Sequence, residues 1–346
     1  MSRIERLAAL LEVPLLVTSG VNVRYLTGLA SSNAAVLVEP DGEATLFTDF
    51  RYLKRAHAVD GVRVEQTARA VIGDLATRLA GRTIRIEADV LSVASLHTLR
   101  DGGVAAEPSS GLVERLRAIK EPAELESLRQ AAAISDEVYG ALGEERFVGR
   151  TEVELAWRVR ELFNEHGASE LSFDTLVAAA ENGANPHSEL RDVPIPANTL
   201  VIVDAGCRVD GYASDCTRTF ATGDLSDELA RAYDVCLEAQ LAGLEAMGPG
   251  VTGRDADAAA RDVIAAAGWG EEFGHGLGHG IGLEVHEAPA ARPESTDTLE
   301  SANVVSCEPG IYLADVAGVR IEDMVLVTDD GSERLTHAAK ELVTVS

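Results

Sequence analysis

The chain has 346 residues, 46% hydrophobic and 25% charged, with 57 Asp and Glu against 30 Lys and Arg for a net charge of −27. That balance belongs to a globular protein of about two domains; disorder, a fibre and a membrane channel are excluded, since no stretch approaches the ~18 consecutive apolar residues of a spanning helix. So acidic a chain repels polyanions, so neither nucleic acid nor an anionic membrane is an expected partner, and no signal-peptide pattern opens MSRIERLAALLEVPLL, which makes the cytoplasm the expected location. Scarce Lys (Lys54, Lys120 and Lys340 only) fits either a salty cytosol or an Arg-rich genome. The four cysteines (Cys207, Cys216, Cys236, Cys307) form no CxxC pair and read as reduced, mostly buried thiols.

In chain order, residues 14–19, 34–38 and 44–48 are short, apolar and β-branched between turn signals, which predicts strands; residues 84–87 predict another. Helices are expected at 52–58, 68–79 and 91–100. This interleaving predicts a small α/β domain over residues 1–115. A helix follows over 121–142, with Pro122 in its first turn and Leu125, Leu128, Ala132 and Val138 at helical spacing. Thr151-Glu-Val-Glu154 is a capping box for the next helix, whose stripe is Leu155, Val159, Leu162 and Phe163. Further helices are expected at 227–247 and 255–267, and strands at 174–180, 199–207, 212–219, 304–308 and 319–328. The second domain is therefore α+β and runs over 116–346, with residues 116–143 as a linking helical region.

Every dense cluster of potential ligands lies in that second domain. Asp210-Gly211 between apolar strands signals a hairpin. With Asp210-Gly211 as the two loop residues, Asp204 faces Thr217 and Asp215 is its diagonal neighbour; with the loop one residue earlier, Asp204 and Asp215 face each other. Both registers put the two carboxylates on one face, where they need a cation or a proton. The plainer alternative makes Asp215 a solvent-facing residue and Asp204 a turn residue.

The second cluster is GHGLGHGIGLEVHE, residues 274–287. Glycine at every second position from 274 to 282 predicts an extended segment with glycine on one face and His275, Leu277, His279 and Ile281 on the other. Neither GxGxxG nor HExxH is present. Three histidines within 12 residues favour a ligand or acid–base site over a structural loop. The third cluster is Glu308-Pro309-Gly310 together with Arg320-Ile321-Glu322-Asp323, where Glu322 opens an apolar run and needs a partner or a metal. The alternative there is an Arg320–Glu322 surface ion pair. Asp204, Asp215, His279, Glu308 and Glu322 together make four carboxylates and one imidazole, a donor set suited to two divalent ions such as Mn²⁺ or Co²⁺ and unlike a thiolate zinc site.

With these residues in view, the second domain resembles the pita-bread metallopeptidases, the family of methionine aminopeptidase, aminopeptidase P and prolidase. The matching stretches are SFDTLVAAAENGANPH (residues 172–187), VDAG, GYASDCTRTF, GHGLGHGIGLEVHE, CEPGIY and VRIEDMVLVT; VNVRYLTG, TDFRY and LRAIK in the first third are also family-like. The resemblance implies an N-terminal creatinase-like α/β domain ahead of a pita-bread catalytic domain. It further implies that Asp204 holds one metal only, that Asp215 and Glu322 bridge two, and that His279 and Glu308 hold the second. A bridging water would be the nucleophile, Glu308 the proton shuttle, and His187 and His286 the groups that meet substrate and tetrahedral intermediate. Arg320 is expected to orient a carboxylate ligand; His275 has no assigned part. Mn²⁺ is the first expectation, with Co²⁺, Fe²⁺ or Zn²⁺ also compatible with these ligands.

The separate N-terminal domain points to the prolidase and aminopeptidase P branch, which cuts before proline, and the resemblance implies a homodimer. The intact ligand set separates the chain from creatinase. The expected function is thus a metal-dependent Xaa-Pro peptidase acting on short proline-containing peptides. The alternatives are a dinuclear-metal relative acting on a small non-peptide substrate, a ring amide hydrolase or lyase, and a catalytically silent peptidase-like binding module.

Overall fold

In the computed structural model, which describes all 346 residues, the contacts divide the chain into two compact units, Met1–Arg117 and Ala118–Ser346. The first is built on one mixed sheet of six strands, in spatial order Arg63–Gln66, Ala44–Thr48, Ala34–Val38, Leu15–Val17, Thr83–Glu87 and Ala105–Ser109. Leu16, Leu37, Phe47, Ile84 and Ile86 meet Leu75 and Leu99 of the flanking helices Val71–Arg78 and Val93–Asp101 in its core. Two helices (Arg3–Ala8, Gly20–Thr27) and both edge strands go beyond the sequence reading. The edge strands RVEQ and AAEPS lack an alternating apolar face, and Pro108 is tolerated because its strand is an edge. The helix expected at 52–58 shortens to Leu53–Ala56.

The second unit begins with the Pro122–Leu142 helix, proline at its start; residues 119–121 separate it from the Leu112–Ala118 helix, so 116–143 is two helices and a break. Thr151 caps the Glu152–Glu165 helix reciprocally: its hydroxyl accepts from Glu154 N–H at 3.2 Å, and its own N–H donates to the Glu154 carboxylate at 2.9 Å. These two helices cover Val177, Val201, Val203, Ala205, Cys216 and Phe220 of a three-stranded sheet, Leu176–Ala179, Leu200–Ala205 and Cys216–Ala221. The helices Asp227–Ala246 and Gly253–Ala266 cover Val305, Cys307, Ile311, Val319 and Val325 on the other side. Sheets lie inside and helix pairs outside, which is the pita-bread arrangement.

The hairpin takes the first of the two predicted registers. Val209 pairs Tyr212, leaving Asp210 (φ 49°) and Gly211 (φ 84°) as the turn, and Thr217 pairs Asp204. The strands are not continuous, however. Strand 199–207 breaks at Gly206, where a Cβ would lie 1.9 Å from the Ser214 carbonyl oxygen, and its partner breaks at residues 214–215. The strand expected at 319–328 splits into Ala317–Arg320 and Asp323–Val327, and Glu308 falls between Val304–Cys307 and Gly310–Leu313. Each break passes the chain from one sheet to another. No helix is long and apolar enough to cross a membrane.

Candidate metal centre

The breaks in the strands are where the titratable side chains gather. Asp204 is the fifth residue of the Leu200–Ala205 strand, alternating with Val201 and Val203, which face the core. Asp215, Glu308 and Glu322 sit in three of the four strand interruptions, Asp215 and Glu322 buried. His279 lies on the short Gly278–Gly280 strand, beside a bulge. A Cβ at Gly278 would stand 2.0 Å from the Ser306 carbonyl oxygen, so only glycine lets this strand approach the one that leads to Glu308.

All five residues converge. Asp204, Asp215, His279 and Glu308 line one cavity of about 700 Å³. Ligand atoms of Asp215, His279 and the deeper Glu322 lie within 4.8 Å of one another. His279 Nε2 is 3.1 Å from Glu308 Oε1 and 3.8 Å from Asp215 Oδ2. His187 and His286 line the same cavity, both exposed, and the rings of His286 and His279 are 4.1 Å apart.

Arg320 forms no pair with Glu322. It is buried, and its Nη2 donates to Asp204 Oδ2 at 2.6 Å, its Nη1 to the Tyr312 hydroxyl at 2.9 Å and its Nε to Thr217 Oγ1 at 3.2 Å. Thr217 in turn donates to Glu322 Oε2 at 2.8 Å. His275 shares a 2.9 Å hydrogen bond with the Tyr312 hydroxyl, so it belongs to the ring of side chains around Arg320. The predicted single face of His275, Leu277, His279 and Ile281 does not form: only Gly278–Gly280 is strand, and Leu277 sinks into the helix-packed core while His275 and His279 line the cavity. Sequence reasoning passed over Thr217 and Tyr312. The first was legible as the residue opposite Asp204 in the hairpin; Tyr312 carried no signal, because its partners are distant in the chain.

The electrostatics calls for positive charge. Burial pushes the Asp215 and Glu322 carboxyls well above the usual range, and the neighbouring Asp204 and Asp215 charges, respectively, add to the effect. Burial also raises Asp204, against the pull of Arg320. For His279 burial works downward, but the Glu308 hydrogen bond and charge outweigh it and the imidazole is pushed up to about 9. Reciprocally, burial would raise Glu308, yet the contact with His279 brings it to about 2. Two buried carboxylate oxygens, Asp204 Oδ1 and Glu322 Oε1, have no hydrogen-bond donor at all. Buried carboxylate oxygens without donors are costly unless a cation meets them, and the set of four carboxylates and one imidazole fits hard or borderline divalent ions. The four cysteines are buried elsewhere in the fold, and none lines the cavity.

This chain is a metallopeptidase of family M24: residues 126–329 match that family, and residues 3–119 match the creatinase/prolidase N-terminal domain. An uncharacterized peptidase of Bacillus subtilis is 36% identical over 335 residues, 95% of each chain. Among solved structures, an Xaa-Pro dipeptidase from Bacillus anthracis is 37% identical with a TM-score of 0.95, covering 99% of both chains. An X-Pro aminopeptidase from Thermotoga maritima is 30% identical with a TM-score of 0.89, covering 98% of this chain and 100% of its own.

Proposed function

We propose that this M24 peptidase hydrolyses the bond before proline in short peptides, with two divalent ions, Mn²⁺ foremost. The observation that carries the metal reading is the pair of donorless buried oxygens, one on Asp204 in the wall of a cavity the size of a short peptide and one on Glu322, grouped with Asp215 and His279. Asp204 is assigned to one ion, Asp215 and Glu322 to both, and His279 and Glu308 to the other. When bound, such a pair of ions acidifies a water and polarises the scissile carbonyl. Arg320 keeps the Asp204 carboxylate turned toward its ion. Glu308 takes the proton from the attacking water and returns it to the leaving nitrogen. That delivery matters here, because an amide nitrogen that belongs to proline carries no proton of its own. His187 and His286, at the cavity wall, donate to the carbonyl oxygen as it gains charge. Partial burial and the nearby His279 hold His286 below its ordinary value.

Proline specificity is supported by the first unit: the match includes the creatinase/prolidase N-terminal domain, and relatives of the same two-part length carry Xaa-Pro names. A dipeptide is favoured over a longer substrate by Arg292, an exposed guanidinium on the cavity wall that takes part in none of the chain's ion pairs and suits a terminal carboxylate. The test is hydrolysis of Ala-Pro and Met-Pro against Ala-Ala, Met-Ala and Ala-Pro-Ala under equal Mn²⁺ loading. Cleavage confined to the proline dipeptides is expected. Preference for Ala-Ala and Met-Ala overturns the proline assignment; no cleavage of any peptide with Mn²⁺ bound favours the small-molecule alternative.

A further inference from the structure

The segment from Phe273 to His279 carries glycine at 274, 276 and 278, and pairs in a sheet only from Gly278 onward. Glycine leaves a chain the most conformational freedom to lose, so a ligand at the end of such a segment needs an external hold. The Gly253–Ala266 helix supplies it through Asp257 and Arg261, one turn apart on one face. Asp257 is 1% exposed and carries a forked pair with Arg261, at 2.7 and 3.0 Å. Its Oδ1 also accepts the Leu277 N–H at 2.9 Å. Arg261 then donates to the carbonyls of Phe273, at 2.8 Å, and His275, at 2.6 Å. The contacts continue toward the metal centre. The Leu277 carbonyl accepts the Glu308 N–H at 2.8 Å, so the backbone of Leu277 lies between Asp257 and Glu308. Two residues on, the His279 N–H donates to Ser306 Oγ at 3.0 Å, and that hydroxyl donates to Glu308 Oε1 at 3.1 Å. Asp204, by contrast, is on the Leu200–Ala205 strand and is fixed by Arg320.

We propose that Asp257 and Arg261 are positioning residues for one half of the metal centre, setting the backbone that presents His279 and Glu308 and thereby the affinity of the ion those two hold. The inference rests on the two-ion reading above and predicts an asymmetry that reading does not contain. Nothing in the pair touches substrate or metal, so its effect passes wholly through geometry.

The experiment is Mn²⁺ titration of the full chain, by calorimetry and by electron paramagnetic resonance, for wild type, Arg261→Met, Arg261→Lys and Asp257→Asn. Wild type is expected to take two Mn²⁺ and to show a spin-coupled pair. Arg261→Met and Asp257→Asn should weaken one ion by about 10–100-fold, the usual scale for partners behind the ligands, and leave the other unchanged. A mononuclear signal should then persist at one Mn²⁺ per chain, and kcat should return at saturating Mn²⁺. Lys lacks the planar fork that serves two carbonyls and a carboxylate, so Arg261→Lys should fall between. Two ions at wild-type affinities in the variants, or both weakened equally, overturns the inference alone; a wild-type chain that takes no Mn²⁺ overturns the two-ion reading with it. The chelated wild type gives a check that needs no variant: the Leu277 amide should be protected from hydrogen exchange before metal is added. Exchange there at the rate of an open loop overturns the inference even if every variant fails to fold.

Discussion

Asp215 and Glu322 differ from Asp204 in depth and company, and the difference should be measurable. Both sit among like charges in strand interruptions, whereas Asp204 has one oxygen committed to Arg320. Asp215→Asn or Glu322→Gln should therefore cost both ions and nearly all activity, while Asp204→Asn keeps the ion near His279; metal analysis of the three purified variants decides this. His187 and His286 are assigned to substrate, so replacing either with Ala should leave metal content at the wild-type level and lower turnover by roughly 10²–10³, the scale of one lost oxyanion donor. A metal missing from either variant would refute that division of labour. The five candidate ligands and His286 could be singled out from sequence because carboxylates in apolar strands and clustered histidines break the ordinary pattern, whereas His187 was marked only by the family resemblance. For Arg320 the resemblance implied only that it orients some carboxylate ligand, and the neighbouring Glu322 offered a rival partner; the fold brings Asp204, 116 residues away, to its guanidinium.

Among the elements, those governed by local chemistry were legible. The Pro122 start, the Thr151 capping box and the Asp210-Gly211 turn are all decided within a few residues. Thr151→Ala removes a reciprocal cap and should lower stability by about 1 kcal/mol in denaturant titration, without touching metal binding. Glu152→Gln is a different matter, since its buried carboxylate accepts the Ala179 and Arg191 N–H groups. What period-two reasoning missed are the interruptions at 206, 214–215, 308–309 and 321–322. At Gly206 the Ser214 backbone across the hairpin comes too close for any side chain, and such an approach leaves no trace in the alternation of apolar residues. Polar edge strands such as Arg63–Gln66 escape for a related reason: with one side unpaired and little buried, they need no apolar face.

For the molecule as a whole, pH and metal should act together. In chelator, Asp215 and Glu322 hold protons that the unfolded chain gives up above about pH 4, so their contribution to stability declines as pH rises past that point. His279, raised to about 9, contributes fully below its ordinary 6.5 and loses that contribution as pH climbs toward 9. On the proposed assignment Mn²⁺ binding would move oppositely, because it would require these side chains deprotonated. The gap in Tm between Mn²⁺-loaded and chelated protein should accordingly widen from about pH 5.5 to about pH 8.5, and a constant gap in thermal melts would contradict the assignment. The strand interruptions give that coupling a mechanical side. Asp215, Glu308 and Glu322 each hang at a joint where the backbone leaves one sheet for the next, so ions gripping all three would act as rivets through a seam. Drawing the rivets should make the seam the first place to part: under limited proteolysis, chelated protein is expected to be cut near these joints while its outer helices still hold.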